Sequence, residues 1–319
     1  MTNASETEKM TSRNLTAIDL FAGAGGFTQG ATMAGANVLW AANHWQAAVD
    51  THAANHPGTE HACQDLAQAD FSKVPDHDLL LASPACQGHS KARGAERSHH
   101  DALRSTAWAV IAAVEAKRPS YVLVENVEAF LTWELFDVWQ LALERYGYNV
   151  TTQVLNSADF GVPQERERAF VMATQGPALE LTHPGRRHVA LGEIVDLAAG
   201  KWSLVSGKCP KTQDQVRRAR EKHGDTFAIL YNGSRNAGRS LDLPAATVTT
   251  VDRMALVNGG SMRMLTLEEY RAAMGFPTDY ALAPRKQDAI KLLGNAVCPP
   301  VAADLVRQIA AADAIQLAA

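Results

Sequence analysis

Leu15-Thr16-Ala17-Ile18-Asp19-Leu20-Phe21-Ala22-Gly23-Ala24-Gly25-Gly26 is the stretch whose reading decides the fold. Its first part is a short, largely apolar run, and it ends in a glycine-rich turn. The pattern behind the turn predicts a helix over about 27–33. A buried strand that delivers a glycine turn to a helix N-terminus is the usual setting for a nucleotide-like ligand. Glycine lets the backbone turn tightly and approach the ligand, and the helix start offers free N–H groups. GxGxxG is not satisfied, because Thr28 stands at the third glycine position, and no GxxxxGK[ST] occurs. A purely structural turn therefore stays open on this stretch alone.

Outward from the turn, strands are expected at 38–42, 78–82, 120–124, near 149–155 and at 169–173. Helices are expected up to about residue 55, over 103–117 and near 134–145. This alternation predicts an α/β fold, a doubly wound and mostly parallel sheet covered by helices. Ligands of such sheets sit at the carboxyl ends of the strands. Asp19, at the end of the first strand, and Asp65, after another, supply carboxylates there for ligand hydroxyls or an amine. Between 181 and 253 the alternation fades into a loop-rich insert (THPGRRH, SGKCPK, VRRAREKHG, YNGSRNAGR). Regular structure returns with a helix over 265–275 capped by Thr266, and a closing helix over 300–317.

The 319 residues, 46% hydrophobic and 20% charged, suffice for a large core without disulfide or metal staples, and disorder is excluded. No apolar stretch approaches the roughly 20 residues of a membrane span. The N-terminal MTNASETEKMTSRN lacks a signal-peptide core, so a cytoplasmic protein is expected. Cys63, Cys86, Cys209 and Cys298 never form a CxxC pair, so no metal site is expected. Each reads by default as a small buried hydrophobe. The formal charge of −4 argues, on its face, against a nucleic-acid partner.

Cys86 challenges its default. It follows Ser83-Pro84-Ala85 at the carboxyl end of a strand, where a thiol is exposed and ionises more readily than in a core. The polar, basic residues behind it, from His89 to Arg97, suit a loop that closes over a bound anion. Glu125-Asn126-Val127 places an acid directly after five strand residues, badly placed for a core and well placed for a ligand edge. In Gln164-Glu165-Arg166-Glu167-Arg168 the two arginines share one face of an extended segment. That pattern fits a charged edge strand or a guanidinium pair for a phosphate or base edge.

Together and in this order these pieces resemble the DNA (cytosine-5)-methyltransferase family. DLFAGAGGF is similar to its cofactor motif, SPACQGHS to its nucleophile motif, ENV to its catalytic-glutamate motif and QERER to its QxRxR motif. MLTLEEYRAAMGFP and GNAV resemble its two C-terminal motifs. The resemblance implies S-adenosylmethionine lying across Gly23, Gly25 and Gly26, with Asp19 at the strand end among the cofactor-binding residues. Phe21 would lie against the adenine, with Asp65 and Leu66 beside it, and Asn295 would brace cofactor and nucleophile loop. It implies a cytosine flipped out of duplex DNA, attacked at carbon 6 by the Cys86 thiolate and held at ring nitrogen 3 by Glu125. Arg168 and Arg166 would hold the base or its flanking phosphate, and Ser90, Lys91 and Arg93 would grip backbone phosphates.

Departures accompany the matches. Pro84-Ala85-Cys86 stands where the family has Pro-Pro-Cys, and His89 where Phe is common. His44-Trp45 stands where a glutamate and an aromatic residue usually follow the second strand. His44 would meet the ribose, with one accepting nitrogen only, and Trp45 the adenine.

The insert would be the target-recognition unit, 181–284, set into a catalytic unit of 1–180 plus 285–319. Its basic part, 181–253, holds 12 Lys+Arg against 7 Asp+Glu, a net of +5, and leaves 18 against 27, or −9, for the rest. The overall charge is an average of two unlike parts. Arg235, Asn236 and Arg239 are candidate base readers, and Thr247 is assigned near the flipped base. A monomer on double-stranded DNA is expected, with no metal and no membrane. A transfer-RNA cytosine methyltransferase and a non-catalytic nucleic-acid adaptor are the competing readings.

Overall fold

The computed structural model describes residues 13–85, 105–231 and 238–318. The first half alternates as expected: β1 (Thr16–Leu20), α1 (Gly26–Met33), β2 (Asn37–Asn43), α2 (Gln46–Asn55), β3 (Glu60–Cys63) and β4 (Leu79–Ala82). It continues with α3 (Trp108–Lys117), β5 (Tyr121–Asn126), α4 (Phe136–Arg145), β6 (Asn149–Asn156) and β7 (Glu167–Thr174). The seven strands form one sheet in the order β3-β2-β1-β4-β5-β7-β6. β1 to β5 pair in parallel, and β7 runs antiparallel to both of its neighbours.

The central strands β4 and β5 read as largely apolar runs because both faces of the sheet are covered there. Adjacent residues in a strand point to opposite faces. Ala17, Leu79, Leu81, Tyr121, Leu123 and Met172 accordingly enter one core, and Ile18, Leu20, Leu80, Val122, Val124 and Val171 the other.

The insert is more regular than its composition suggests. β8 (Ser203–Leu204), α5 (Pro210–His223), β9 (Thr226–Leu230), β10 (Arg239–Ser240), β11 (Met254–Asn258) and β12 (Ser261–Met264) occupy it. Their strands make a second, antiparallel sheet in the order β10-β9-β11-β12-β8. Val216 and Ala219 of α5 pack onto Phe227, Ile229, Ala255, Val257 and Met262. The loop-rich stretch 181–253 thus also carries α5 and the short strands β8, β9 and β10, and β11 and β12 follow it. The chain returns through α6 (Leu267–Ala273), whose cap Thr266 accepts the Glu269 N–H while the Glu269 carboxylate accepts the Thr266 N–H, a capping box.

α7 (Lys286–Asn295) and α8 (Pro299–Ala318) close the first core against α1. A Cβ on Gly30 would fall 2.4 Å from the Ala302 Cβ and 2.6 Å from the Pro299 carbonyl, so glycine sets how closely α1 and α8 approach. Contrary to expectation, the segment Lys286–Ala318 has the length and composition of a membrane span, yet its apolar window is 78% buried inside the protein. It is a core segment. The cysteines divide as well: Cys298 is buried, whereas Cys63 and Cys209 are exposed.

Candidate active site

Parallel register brings the motifs together. Leu20 pairs with Ala82 and Ala82 with Val124, so Phe21, Ser83 and Glu125 lie side by side at the carboxyl edge of β1, β4 and β5. The Ser83 N–H donates to the Leu20 carbonyl at 3.2 Å, and its hydroxyl to the Phe21 carbonyl at 3.3 Å. Phe21 turns out of the strand with φ 61°, a left-handed conformation uncommon outside glycine. The cleft above this edge is walled by Phe21 and Gly23, by Ser83-Pro84-Ala85, and by Glu125, Val127, Arg166 and Arg168. Asn43, His44 and Trp45 at the β2–α2 corner, and Lys291, Leu292, Gly294 and Asn295 on α7, complete it.

Cys86, Ser90, Lys91 and Arg93 lie outside the described residues, as does Arg235. The chain that leads to Cys86 is described, and it is tethered on both sides. The Asn126 amide donates to the Pro84 carbonyl at 3.2 Å, and the Ala85 N–H donates to the Thr106 hydroxyl at 3.2 Å. Asn126, a residue not assigned a role from sequence, thus ties the end of β5 to the turn that precedes the thiol. Its position beside Glu125 in ENV was the available clue.

Glu125 is buried at the cleft floor with Arg168 Nε 3.2 Å from its Oε1, an approach without hydrogen-bond alignment. Burial pushes its carboxyl above the ordinary range, while Arg168 and, more weakly, Arg166 pull it back down. A carboxyl raised in this way holds its proton better and is suited to donate it.

Arg166 also lines the cleft, but its guanidinium serves the backbone. It donates to the carbonyls of Val248 at 3.2 Å and of Gly294 and Ala296 at 3.0 Å each. Gln164 adds its amide nitrogen to the Ala273 carbonyl at 3.0 Å and accepts the Val248 N–H at 2.8 Å. The QERER segment therefore splits by function. Gln164 and Arg166 clamp the returning chain, and Arg168 faces Glu125.

The glycines divide similarly. Gly23, with φ 55°, lines the cleft, and a Cβ there would meet no other residue within 3.7 Å. Gly25 and Gly26 serve packing. A Cβ on Gly26 would fall 2.0 Å from the Val297 carbonyl oxygen, and one on Gly25 would meet the Tyr280 hydroxyl at 2.5 Å and the His52 ring at 3.0 Å. Asp19 is fully buried behind the turn, where one oxygen accepts the Thr28 hydroxyl at 2.8 Å and N–H at 3.2 Å. Burial lifts its pKa to about 7. Asp65 is exposed and accepts the Ala67 N–H of its own turn at 3.0 Å, while Leu66 is buried in the core. Neither belongs to the described lining of the cleft.

Beneath the turn sits a histidine group that sequence reading passed over. His52 Nδ1 lies 2.7 Å from His61 Nε2, and its Nε2 lies 3.0 Å from the Thr28 hydroxyl. His56 Nε2 is 3.1 Å from the Tyr280 hydroxyl, which donates to the Ala24 carbonyl at 2.5 Å. Burial and mutual repulsion hold His52 well below the usual imidazole range and His56 at about 4. The one-turn spacing of His52 and His56 on α2 was the sequence clue.

At the β2–α2 corner of the cleft, Lys291 Nζ stands 4.3 Å from the Trp45 ring centroid. His44 is exposed at the cleft wall. In the insert, Arg239 is engaged internally: it donates to the Pro244 carbonyl, and its Nη2 lies 2.7 Å from Glu165 Oε1. The Thr247 hydroxyl donates to the Glu165 carbonyl at 2.7 Å, beside the bridge between Gln164 and Ala245. No group of three or more metal-ligating side chains occurs among the described residues.

Comparisons with known proteins agree with this geometry. Residues 15–311 match the family model for C-5 cytosine-specific DNA methylases. Type II methyltransferase M.NlaX of Neisseria lactamica is 28% identical over 92% of this chain and 96% of its own length. Type II methyltransferase M.HhaI of Haemophilus parahaemolyticus is 27% identical over 88% and 89%. Among solved structures, a putative DNA modification methyltransferase encoded within an Escherichia coli prophage superposes with a TM-score of 0.69 at 19% identity, covering 93% of this chain and 98% of its own. Dnmt2 methyltransferase of S. pombe does so with 0.64 at 18%, covering 96% and 99%. At these identities the structural likeness speaks for the fold. The family match over nearly the whole chain decides the rest: the protein belongs to the C-5 cytosine-specific DNA methylase family and is a DNA (cytosine-5)-methyltransferase.

Proposed function

We propose that this chain methylates carbon 5 of a cytosine flipped out of double-stranded DNA, through a covalent adduct to Cys86. The observation that carries the reading is the buried Glu125, raised by burial and faced by Arg168, one strand away from the tethered Pro84-Ala85 turn that leads to Cys86. Carbon 6 cannot be reached while the base is stacked, so the cytosine must leave the duplex.

The cleft fits S-adenosylmethionine. Phe21 and Trp45 offer apolar faces, Gly23 leaves room where a side chain would intrude, and Asn43, His44 and Asn295 place polar groups around them. When bound, that cofactor supplies a methyl group activated on a sulfonium. Phe21, Gly23, Trp45 and Asn295 would hold it, and His44 would face the ribose.

In the proposed sequence the Cys86 thiolate bonds to carbon 6 while Glu125 donates its proton to ring nitrogen 3, so the charge of addition never accumulates on the ring. The enamine so formed takes the methyl group at carbon 5. Carbon 5 then gives its proton to a water molecule acting as base, the electron pair so released breaks the S–C6 bond to return the thiolate, and ring nitrogen 3 returns its proton to Glu125. Arg168 holds the carboxylate of Glu125 in place between these transfers. Gln164 and Arg166 keep the returning chain seated over the cleft.

We further place the chain on duplex DNA as a monomer, with the insert as the target-recognition unit, and in a restriction-modification setting like the relatives named Type II methyltransferases. Transfer of a labelled methyl group from S-adenosylmethionine to duplex DNA and to a transfer-RNA transcript, by the unaltered chain and by Cys86→Ser, tests the reading. Label is expected in DNA with the unaltered chain only. Label confined to RNA, or full activity in Cys86→Ser, would overturn it.

A further inference from the structure

The insert carries many arginines, and most are already engaged. Arg217 and Arg218 reach Asp214, Arg220 reaches Asp225, Arg239 reaches Glu165 and Arg263 reaches Glu269. Arg253 differs. Like those of Arg220 and Arg263, its Nε is buried without a hydrogen bond, but its guanidinium also has no side-chain or backbone partner among the described residues. The neighbouring Asp252 is engaged elsewhere, by Lys286 at 2.8 Å and by the Tyr270 hydroxyl at 2.9 Å.

Arg253 lines a pocket with Tyr231, Thr247, Thr249, Val251 and Met254. The pocket adjoins the catalytic cleft through the chain itself. Val248, between the two threonines, is the residue whose carbonyl Arg166 holds and whose N–H Gln164 accepts. Thr249 presses its backbone onto Gly294, where a Cβ would come within 2.4 Å, next to Asn295 of the cleft. Residues 247–253 therefore run from the clamp above the cleft to an unmet cation in a recess with apolar walls.

A buried guanidinium Nε left without an acceptor is costly, and native proteins rarely keep one without a use. Its planar fork matches two adjacent acceptors, and a guanine edge offers O6 and N7 side by side in the major groove. A phosphate is commonly met by a protruding side chain, whereas Arg253 is recessed beside the segment that Arg166 and Gln164 clamp above the cleft. We propose that Arg253 reads a guanine within the recognition sequence. This rests on the functional reading above and assigns one of its specificity-determining residues.

The experiment is sequencing of 5-methylcytosine in DNA from cells that express the unaltered chain, Arg253→Ala or Arg253→Lys. It is paired with S-adenosylmethionine binding by calorimetry, which reports folding independently of activity. The unaltered chain is expected to show a motif with a fixed guanine near the target cytosine. Arg253→Ala should lose roughly 10- to 100-fold of its preference at that single position and keep the others, with Arg253→Lys in between. A motif unchanged in both variants would overturn the inference. So would equal weakening on all sequences with a shallower salt dependence, the mark of a phosphate contact. If the unaltered chain left no 5-methylcytosine at all, the functional reading itself would fall, and this inference with it.

Discussion

Arg168 Nε lies 3.2 Å from Glu125 Oε1 at the cleft floor, and the two opposing influences on that carboxyl can be separated. Burial raises its pKa and Arg168 lowers it. Donation to the cytosine ring needs the protonated acid, so turnover should fall as pH rises past the Glu125 pKa. Removing the arginine takes away the lowering influence. Arg168→Ala should therefore shift the alkaline limb of kcat to higher pH and reduce kcat by about 100-fold or more. Glu125→Gln should reduce turnover about as far and abolish the limb altogether. A pH–rate profile of each variant checks both statements.

Arg166 should behave differently, because its hydrogen bonds go to Val248, Gly294 and Ala296. Arg166→Ala leaves three carbonyls short of a donor and should cost about 3 kcal/mol of unfolding free energy. Arg166→Lys reaches fewer of them and should recover only part. Urea denaturation with and without S-adenosylmethionine measures the loss.

The glycine turn offers a paired test. Gly26→Ala places a Cβ 2.0 Å from the Val297 carbonyl oxygen, and the expected cost is about 2–3 kcal/mol of stability. Gly23→Ala meets no such obstacle but holds φ 55° and faces the cleft, so its stability cost is about 1–2 kcal/mol. Its larger effect should be on cofactor affinity. Calorimetric binding and thermal unfolding of the two variants should rank them in opposite orders.

Much of this site was legible in the sequence, and the exceptions have physical causes. Strands buried on both faces announce themselves as apolar runs, so the parallel sheet and its motif-bearing ends stood out. α5 did not, because its buried face is Thr212, Gln215, Val216 and Ala219, with only two apolar residues among charged ones. The β11–β12 hairpin did carry a marker, Asn258-Gly259-Gly260-Ser261 between two apolar runs. Sequence also cannot separate a glycine that admits a ligand from one that admits a neighbouring helix, as Gly23 and Gly26 show. Nor does an arginine in a basic insert reveal that, like Arg239, it is already held by Glu165.

The histidine group under the turn predicts a pH dependence of stability. His56 titrates near 4 in the folded chain against 6.5 in the unfolded one. Its folded form is therefore the neutral one, and the unfolded chain binds the extra proton. Stability linked to His56 is fully present above about pH 6.5 and is lost as pH falls toward 4. Asp19, raised from 3.8 to about 7, works the other way, gaining stability over nearly the same interval. Comparison with a variant isolates one side. Between pH 7 and pH 4, His56→Gln should gain about 3 kcal/mol relative to the unaltered chain. Parallel pH profiles of the two proteins in urea denaturation would contradict this.

The central claim is a covalent bond between Cys86 and cytosine. Duplex DNA carrying 5-fluorocytosine at the methylated position tests it most directly, because carbon 5 cannot release fluorine as it releases a proton, and the adduct persists. With S-adenosylmethionine present, the unaltered chain should form a species that survives denaturing electrophoresis, with the modified peptide containing Cys86, and Cys86→Ala should form none. DNA methylation by the unaltered chain without any trapped species, or trapping that persists in Cys86→Ala, would contradict the account.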